Sequence, residues 1–250
     1  MKDDISYRTI DINKLSDSQK REIADEVYGI YLNIFQGWSR AIIYKHICAE
    51  NCVLFKVRIF QNKNGKTVGF CWINARHVHH DGIKYTIFFN LGGLDRTVRK
   101  KGLITSFFTS VLVKYVITHP FEKIYSFQRL IHPASYCAWS NALHEMYPRL
   151  DKSTPPTFTS LTSYLSQVFH YKAVGDDNPF VVYCDNYVKL DLEGDKPVIS
   201  IEKPEAAYYN SLTEKRPDHS VVMIFPCNLK NAVMSISKNL NKNIRRRLQV

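Results

Sequence analysis

The sequence predicts an α+β fold, in which a mixed, mostly antiparallel central sheet is flanked by helices. Residues 53–60 and 67–78 alternate between apolar and polar side chains, and the turn signal of residues 62–65 separates them. A second turn leads to the apolar run 83–91, and helical spacing follows over 103–118. A hydrophobic content of 45% is enough to form a core and excludes wholesale disorder. We therefore expect an antiparallel meander followed by a helix.

The first fifty residues predict one strand and two helices. Residues 6–12 alternate in polarity and form the expected first strand. Ser16 is the expected N-cap of a helix over residues 17–35, which Gly29 interrupts. A second, short helix is expected over residues 38–48.

The helix over residues 103–118 carries the strongest chemical signal. Its apolar stripe consists of Ile104, Phe107, Phe108, Val111, Leu112 and Tyr115. The turn before it holds four cations, Arg96, Arg99, Lys100 and Lys101, and then Gly102, which allows a positive φ or a close backbone approach. The first amides of a helix lack intrahelical partners and lie at the positive end of its dipole, which favours a bound anion. A basic, solvated turn before a core helix is the alternative.

The run from Leu94 to Ile104 resembles the pyrophosphate loop of the Gcn5-related N-acetyltransferase (GNAT) superfamily. The signature of that loop is Arg/Gln-x-x-Gly-x-Gly/Ala, and Arg99, Gly102 and Ile104 occupy its defined positions, with Ile104 departing from the pattern. The resemblance covers roughly residues 5 to 150. It implies a GNAT-like fold that uses acetyl-CoA or another acyl-CoA as co-substrate, without a metal. The residues that it implies for coenzyme A binding are Leu94, Arg99, Lys100, Lys101, Gly102, Leu103, Ile104 and Thr105.

The same resemblance implies the groups that carry out the transfer. Backbone amides of residues 90–94 would bind the pantetheine arm and the thioester carbonyl, where Gly92 and Gly93 ease a close approach. A tyrosine after the fifth strand protonates the departing thiolate in this family, and Tyr136 or Tyr147 would do so here.

Other positions of the family pattern are less defined in this chain. His132 stands where the family often has an asparagine. The general base stays open among Asp95, His79, Glu145 and a chain of water molecules. The helices after the first strand border the acceptor groove in the family, and three aromatic residues there either line such a groove or pack in the core: Tyr31, Phe35 and Trp38.

The second half of the chain predicts a less regular series of elements. We expect strands over 123–131, 180–183, 187–192 and 221–225, and helices over 133–146, 158–171 and 229–248. The strands over 180–183 and 187–192 could complete the sheet. The expected domains are an acyltransferase domain over residues 1–192 and a C-terminal extension over 193–250 with a basic terminal helix. The basic end Arg245-Arg246-Arg247 is either solvated or bound to an anionic surface.

Charge and composition limit the classes of partner and cofactor. The net charge of +11 suits a polyanionic cofactor, an acidic protein, a nucleic acid or an anionic membrane, although no nucleic-acid-binding motif is present. The six cysteines are scattered, which favours reduced, mostly buried thiols over disulfides or a zinc site. We expect His77, His79 and His80 to lie at a solvated hairpin tip. Without a signal peptide or an apolar run of about 20 residues, a cytoplasmic location is expected, with signal-independent export left open.

The sequence thus predicts an acyl-CoA dependent N-acyltransferase that transfers the acyl group directly to an amine. Two alternatives stay open. One is a non-catalytic protein of the same fold that binds an acidic protein or nucleic acid on its basic surface. The other is an acyltransferase whose donor is an acyl carrier protein.

Overall fold

The structure, a computed structural model, describes residues 5–95, 98, 102–175, 177–188 and 203–235. Its strands are β1 (Ser6–Asp11), β2 (Phe35–Gln36), β3 (Cys52–Gln61), β4 (Thr67–His80), β5 (Ile83–Leu94), β6 (Lys123–Leu130), β7 (Val181–Tyr183), β8 (Tyr187–Val188) and β9 (His219–Pro226). Its helices are α1 (Asp17–Ile34), α2 (Arg40–Ile47), α3 (Leu103–Thr118), α4 (Pro133–Ala142), α5 (Pro156–Val168) and α6 (Pro204–Leu212).

Seven strands form the main sheet in the order β1-β3-β4-β5-β6-β9-β7. The pairs β1 with β3, β3 with β4, β6 with β9 and β7 with β9 are antiparallel. The fold class expected from the sequence, a mostly antiparallel sheet flanked by helices, is confirmed.

The chain divides into two compact units. The first contains Met1–Val78, Thr86–Pro120 and Asp185–Asp195, and the second contains His79–Tyr85, Phe121–Cys184 and Lys196–Val250. The domain boundary expected at residues 192 and 193 falls outside the described residues and stays a prediction.

Helix α1 begins at the N-cap that the sequence predicts. The Ser16 side chain accepts a hydrogen bond from the Gln19 amide, and the Gln19 side chain accepts one from the Ser16 amide, which completes a capping box. The inward face of the helix consists of Ala24, Val27, Ile30, Tyr31 and Ile34. The second expected helix is α2, which starts two residues later than its pattern suggested.

The turns between β3, β4 and β5 follow from their residue types. Asn62 Oδ1 accepts hydrogen bonds from the amides of Asn64 and Lys66, each at 3.0 Å, and so holds the first turn. In the second turn Asp81 and Gly82 have φ values of 49° and 71°, the paired positive φ of a two-residue hairpin loop. Local signals therefore set both of these hairpins.

Two expectations about the second half need correction. The strand expected over 187–192 does not extend the main sheet, because β8 pairs with β2 in a separate two-stranded sheet, with Phe35 opposite Val188. The helix expected over 133–146 ends at Ala142, after which the Tyr147 backbone pairs with that of Ile224. In both places the deciding contact joins residues far apart in sequence.

Helix α6 (Pro204–Leu212) forms where the sequence predicts no helix, whereas the other elements of the second unit lie close to their expected positions. Strand β9 contains the expected 221–225, and α5 begins earlier and ends earlier than the expected 158–171. Residues 229–235 are helical, and the rest of the helix expected over 229–248 lies outside the described residues. Among the described residues, no helix combines the length and hydropathy that crossing a bilayer requires.

Candidate functional site

The start of α3 lies just after the chain leaves β5. The Asp95 amide donates to the Val68 carbonyl oxygen at 2.8 Å, and the Val98 amide donates to the Asp95 carbonyl oxygen at 3.1 Å, which forms a turn after the strand. Gly102 then takes the N-cap position with φ 67° and ψ 17°, in the left-handed region. From the sequence we expected Gly102 to allow either a positive φ or a close backbone approach. The structure shows the positive φ.

The N-terminus of α3 is open to solvent on the side of Gly102. Gly102 is exposed, and a Cβ built on it would meet no atom of the described residues within 4 Å. Gly102 has no side chain with which to cap the helix, and the first turn contains no acidic residue. The first bond of the helix runs from the Ser106 amide to the Gly102 carbonyl oxygen at 2.8 Å. Because a helix leaves the amides of its first turn without intrahelical partners, this end can bind an anion.

The residues predicted to bind coenzyme A differ in burial, and three of them lie outside the described residues. Leu103 and Ile104 are half-buried and Thr105 is exposed in the first turn of α3. Leu94 is a core residue with 8% exposure, and its side chain would clash with any Cβ at Gly69. Arg99, Lys100 and Lys101 lie outside the described residues, as does Arg96. The assignment of these residues to coenzyme A stays a prediction.

Gly92 and Gly93 have a packing role within the first unit. A Cβ on Gly92 would come within 2.8 Å of the Phe70 carbonyl oxygen. A Cβ on Gly93 would come within 2.5 Å of the Phe35 ring. From the sequence we expected these glycines to let a ligand approach closely. In the structure, neighbouring protein atoms already leave no room for a side chain at either position.

Tyr136 is engaged in the interior of the second unit. It is fully buried in α4, and its hydroxyl donates to the carbonyl oxygen of Pro148 at 2.9 Å. Burial, and then the neighbouring Tyr208, raise the pKa of the Tyr136 hydroxyl far above its ordinary value. This tyrosine is therefore held as a protonated tether between α4 and the segment after it.

Tyr147, the other candidate acid, belongs to the same unit and has an acidic neighbour. Its amide and carbonyl form hydrogen bonds with Ile224 at 2.8 and 2.9 Å, and its ring lies 4.6 Å from that of Phe158. Burial and then the negative charge of the neighbouring Glu145 carboxylate raise the pKa of Tyr147. A raised pKa keeps this phenol protonated at neutral pH, as a proton donor requires.

His132 has a structural role that explains its residue type. Its Nδ1 accepts a hydrogen bond from the Ala134 amide at 3.0 Å, which makes His132 the N-cap of α4, directly before Pro133. Asparagine is a common N-cap for the same reason, since its side chain also presents an acceptor. The structure thus explains why a histidine can stand where the family often has an asparagine.

The histidines of the hairpin have protein partners. His77 Nδ1 lies 3.1 Å from Thr86 Oγ1, and His80 Nε2 lies 2.9 Å from Ser160 Oγ. His79 is exposed. Within the described residues, no group of three or more histidine, cysteine or acidic side chains is arranged to hold a metal ion. The partially buried His80 and the half-buried His77 correct the expectation that all three histidines lie at a solvated tip.

The aromatic residues of α1 and its following loop are core residues of the first unit. Tyr31, Phe35 and Trp38 are at most 6% exposed, and Tyr31 stacks on the other two rings. Trp38 also stacks on His46 at 4.7 Å, and both rings stack on Trp72 of β4. Of the two roles considered for these aromatic residues, core packing is the one observed.

Sequence reasoning missed two polar groups in β4. Trp72 and Asn74 lie two residues apart and therefore point to the same face of the strand. In the part of the chain that the structure describes, the Trp72 indole nitrogen and the Asn74 amide oxygen are buried without a hydrogen-bond partner. No local pattern could identify them, because burial depends on which distant parts of the chain pack against the strand, as Trp38 and His46 do at Trp72.

Comparison with solved structures finds acetyltransferases. NAA60 of Arabidopsis thaliana in complex with acetyl-CoA is 10% identical, with a TM-score of 0.37, and the match covers 89% of this chain and 98% of that one. A GNAT-family acetyltransferase of Streptococcus pneumoniae is 9% identical, with a TM-score of 0.35, over 89% and 99% of the two chains. A ribosomal-protein-alanine N-acetyltransferase of Brucella melitensis biovar Abortus 2308 is 11% identical, with a TM-score of 0.37, over 61% and 97%.

One of the three is described as a member of the GNAT family. No family model matches the sequence, and no curated protein matches it.

Proposed function

We propose that this protein is an acyl-CoA dependent N-acyltransferase that transfers its acyl group directly to an amine. The observation that carries the proposal is the N-terminus of α3, which begins at an exposed Gly102 in the left-handed conformation and has no side-chain cap among the described residues. An uncapped helix start attracts a pyrophosphate through its free amides and its dipole.

The residues around this helix start support the same ligand. Four cations precede Gly102 in the sequence, and the first turn of α3 contains no acid that would repel a phosphate. The open space at Gly102 fits a ligand that approaches the backbone closely. The pyrophosphate of an acyl-CoA would add the charge that this end of the helix favours.

In the proposed reaction the amine attacks the thioester carbonyl and the thiolate of coenzyme A leaves. Amides that donate to the carbonyl oxygen would stabilise the tetrahedral oxyanion. We assign protonation of the thiolate to Tyr147 rather than Tyr136, because the Tyr136 proton is already donated to the Pro148 carbonyl oxygen. The neighbouring carboxylate of Glu145, whose charge raises the pKa of the Tyr147 phenol, would orient it.

Calorimetric titration with acetyl-CoA tests the proposal. We expect saturable binding of acetyl-CoA and of free coenzyme A, which share the pyrophosphate, and weaker binding at raised ionic strength. Absence of heat up to high micromolar concentrations would contradict it.

The same titration separates the two alternatives. An acyltransferase that uses a carrier protein would form a salt-sensitive complex with an acidic acyl carrier protein and not bind free acetyl-CoA. A non-catalytic binding protein would show salt-dependent retention on DNA or on an acidic protein, with no acyl transfer to any amine.

A further inference from the structure

The helical segment 229–235 of the second unit is attached to its neighbours by hydrogen bonds from polar side chains on one face. Asn228 caps it, since its Oδ1 accepts from the Asn231 amide at 2.8 Å. The Asn231 side chain is only 3% exposed and donates to the carbonyl oxygens of Pro226 at 2.9 Å and Glu145 at 3.0 Å. It also accepts from the Glu145 amide at 2.9 Å. The inward face of this segment is therefore hydrogen-bonded rather than apolar.

A further hydrogen bond fixes the same face one turn later. Ser235 Oγ accepts from the His144 amide at 2.9 Å and lies 3.4 Å from Asn231 Oδ1. Residues 231 and 235 are one helical turn apart and so share a face. This pair holds the segment against residues 144 and 145.

The outward face carries the apolar residues. Leu229 is 75% exposed, Val233 is 54% exposed and Met234 is 42% exposed. An ordinary surface helix buries its apolar face and exposes its polar one, so the polarity here is reversed. These three side chains are exposed and therefore contribute little to packing among the described residues of the second unit.

Phe121 adds an aromatic ring at the same end of the β6–β9 pair. Tyr125 is opposite Pro226 in the antiparallel ladder, and the Cys227 amide donates to the Ile124 carbonyl oxygen at 2.8 Å. The chain that enters β6 from Phe121 therefore runs beside the chain that leaves β9 toward Leu229. Phe121 is 99% exposed, the most exposed of the large hydrophobic residues described.

These four residues form the apolar patch: Phe121, Leu229, Val233 and Met234. Two exposed lysines flank it, Lys123 two residues after Phe121 and Lys230 directly after Leu229, whereas Glu122 between Phe121 and Lys123 is half-buried. Clustered apolar side chains at a surface mark a site of contact with another apolar phase. The flanking lysines favour a contact surface that is also negatively charged.

We propose that the apolar patch docks this protein on an anionic lipid bilayer, with Phe121 and Leu229 inserted at the interface. Charge complementarity favours this occupant, because the lysines and the net charge of +11 are attracted to acidic headgroups. A second copy of the chain would instead place lysine against lysine across a symmetric interface. The proposal is independent of acyl transfer, since none of these residues is assigned to the reaction.

Flotation of the full chain with lipid vesicles tests this docking. We expect binding to phosphatidylcholine vesicles that contain about one third phosphatidylserine and little binding to phosphatidylcholine alone. The double variant Phe121→Ser/Leu229→Ser should lower the partition coefficient about tenfold or more. Lys123→Glu/Lys230→Glu should lower it by a similar factor and reduce its dependence on salt.

Leu150→Ser is the matched control, because Leu150 is 54% exposed like Val233 but is not part of the patch. It should bind vesicles as the unaltered chain does. Since the altered residues are exposed, thermal unfolding should be the same in all variants. No binding by the unaltered chain would overturn the proposal, as would binding that survives both double variants, which would assign the attraction to the basic end of the chain. Dimers that form without lipid and disappear in Phe121→Ser/Leu229→Ser would overturn it in favour of a second copy.

Discussion

The hydroxyl of Tyr136 donates its hydrogen to the carbonyl oxygen of Pro148 at a distance of 2.9 Å, in the interior of the second unit. The bond joins α4 to the segment that follows it and gives both polar groups a partner. A buried phenol with a partner of this kind contributes to stability whether or not it takes part in chemistry.

Tyr136→Phe should lower the free energy of unfolding by about 1–3 kcal/mol, because the Pro148 carbonyl is left buried without its donor. Urea unfolding of the two chains measures the difference. The control is Tyr208→Phe, whose ring lies 6.0 Å from that of Tyr136 but whose hydroxyl has no hydrogen-bond partner among the described residues. Equal stability of Tyr136→Phe and the unaltered protein would contradict this role.

Tyr147→Phe should leave folding nearly intact and reduce kcat for acyl transfer about 10²-fold or more, because the thiolate would lose its proton donor. Steady-state kinetics with acetyl-CoA and an accepted amine would show a lower kcat at an unchanged KM for acetyl-CoA. Tyr136→Phe, measured at a temperature where it is folded, should retain its kcat. The reverse result, with kcat lost in Tyr136→Phe alone, would reassign the acid.

Gly102→Glu should abolish binding of acetyl-CoA, because a carboxylate at the start of α3 repels the pyrophosphate and blocks its approach. Any side chain at this left-handed position also adds about 1–2 kcal/mol of backbone strain. Gly65→Glu is the matched control, since Gly65 is also exposed, has φ +74° and leaves a Cβ at that position with no neighbour within 4 Å.

Calorimetry on both glycine variants separates strain from ligand repulsion. Gly65→Glu should lose similar stability yet bind acetyl-CoA as the unaltered protein does. Undiminished affinity in Gly102→Glu would place the coenzyme elsewhere.

Ser16→Ala should lower the free energy of unfolding by about 1 kcal/mol, because it removes the acceptor for the Gln19 amide in the capping box. Ser39→Ala provides the comparison. Ser39 is the N-cap of α2, but its side chain makes no capping hydrogen bond, so its removal should change stability much less. Chemical denaturation of both variants checks the difference, and equal losses would argue against the cap.

The ion pair between Arg149 and Asp151 predicts a pH dependence of stability. Arg149 donates to Asp151 from Nε at 2.6 Å and from a terminal nitrogen at 3.0 Å, and this hydrogen bonding lowers the pKa of Asp151. A lowered folded-state pKa means that the stabilisation is present above the unfolded pKa of about 3.9 and is lost as pH falls through the folded value.

Asp151→Asn should therefore flatten the acid side of the curve of unfolding free energy against pH. Because Asp151 is largely exposed, the change should be below about 1 kcal/mol. Unfolding titrations between neutral pH and strongly acid pH measure it. An unaltered acid limb in Asp151→Asn would assign the pH dependence to other groups.

Local signals in the sequence predict most of the elements and their order, although not β2 or α6. The capping box at Ser16, the turns at Asn62 and Gly82, and the positive φ of Gly102 each depend on residues within a few positions of one another. Such interactions are the same wherever the segment lies in the fold, and a pattern can therefore predict them.

Only the tertiary structure decided what the individual candidate residues do. In the structure the Tyr136 hydroxyl donates to the Pro148 carbonyl oxygen, and Gly92 packs against Phe70. Strand β8 pairs with β2 instead of joining the main sheet. The tertiary structure also turns the apolar residues of segment 229–235 outward. Each of these outcomes depends on contacts between distant parts of the chain, which the spacing of neighbouring residues does not encode.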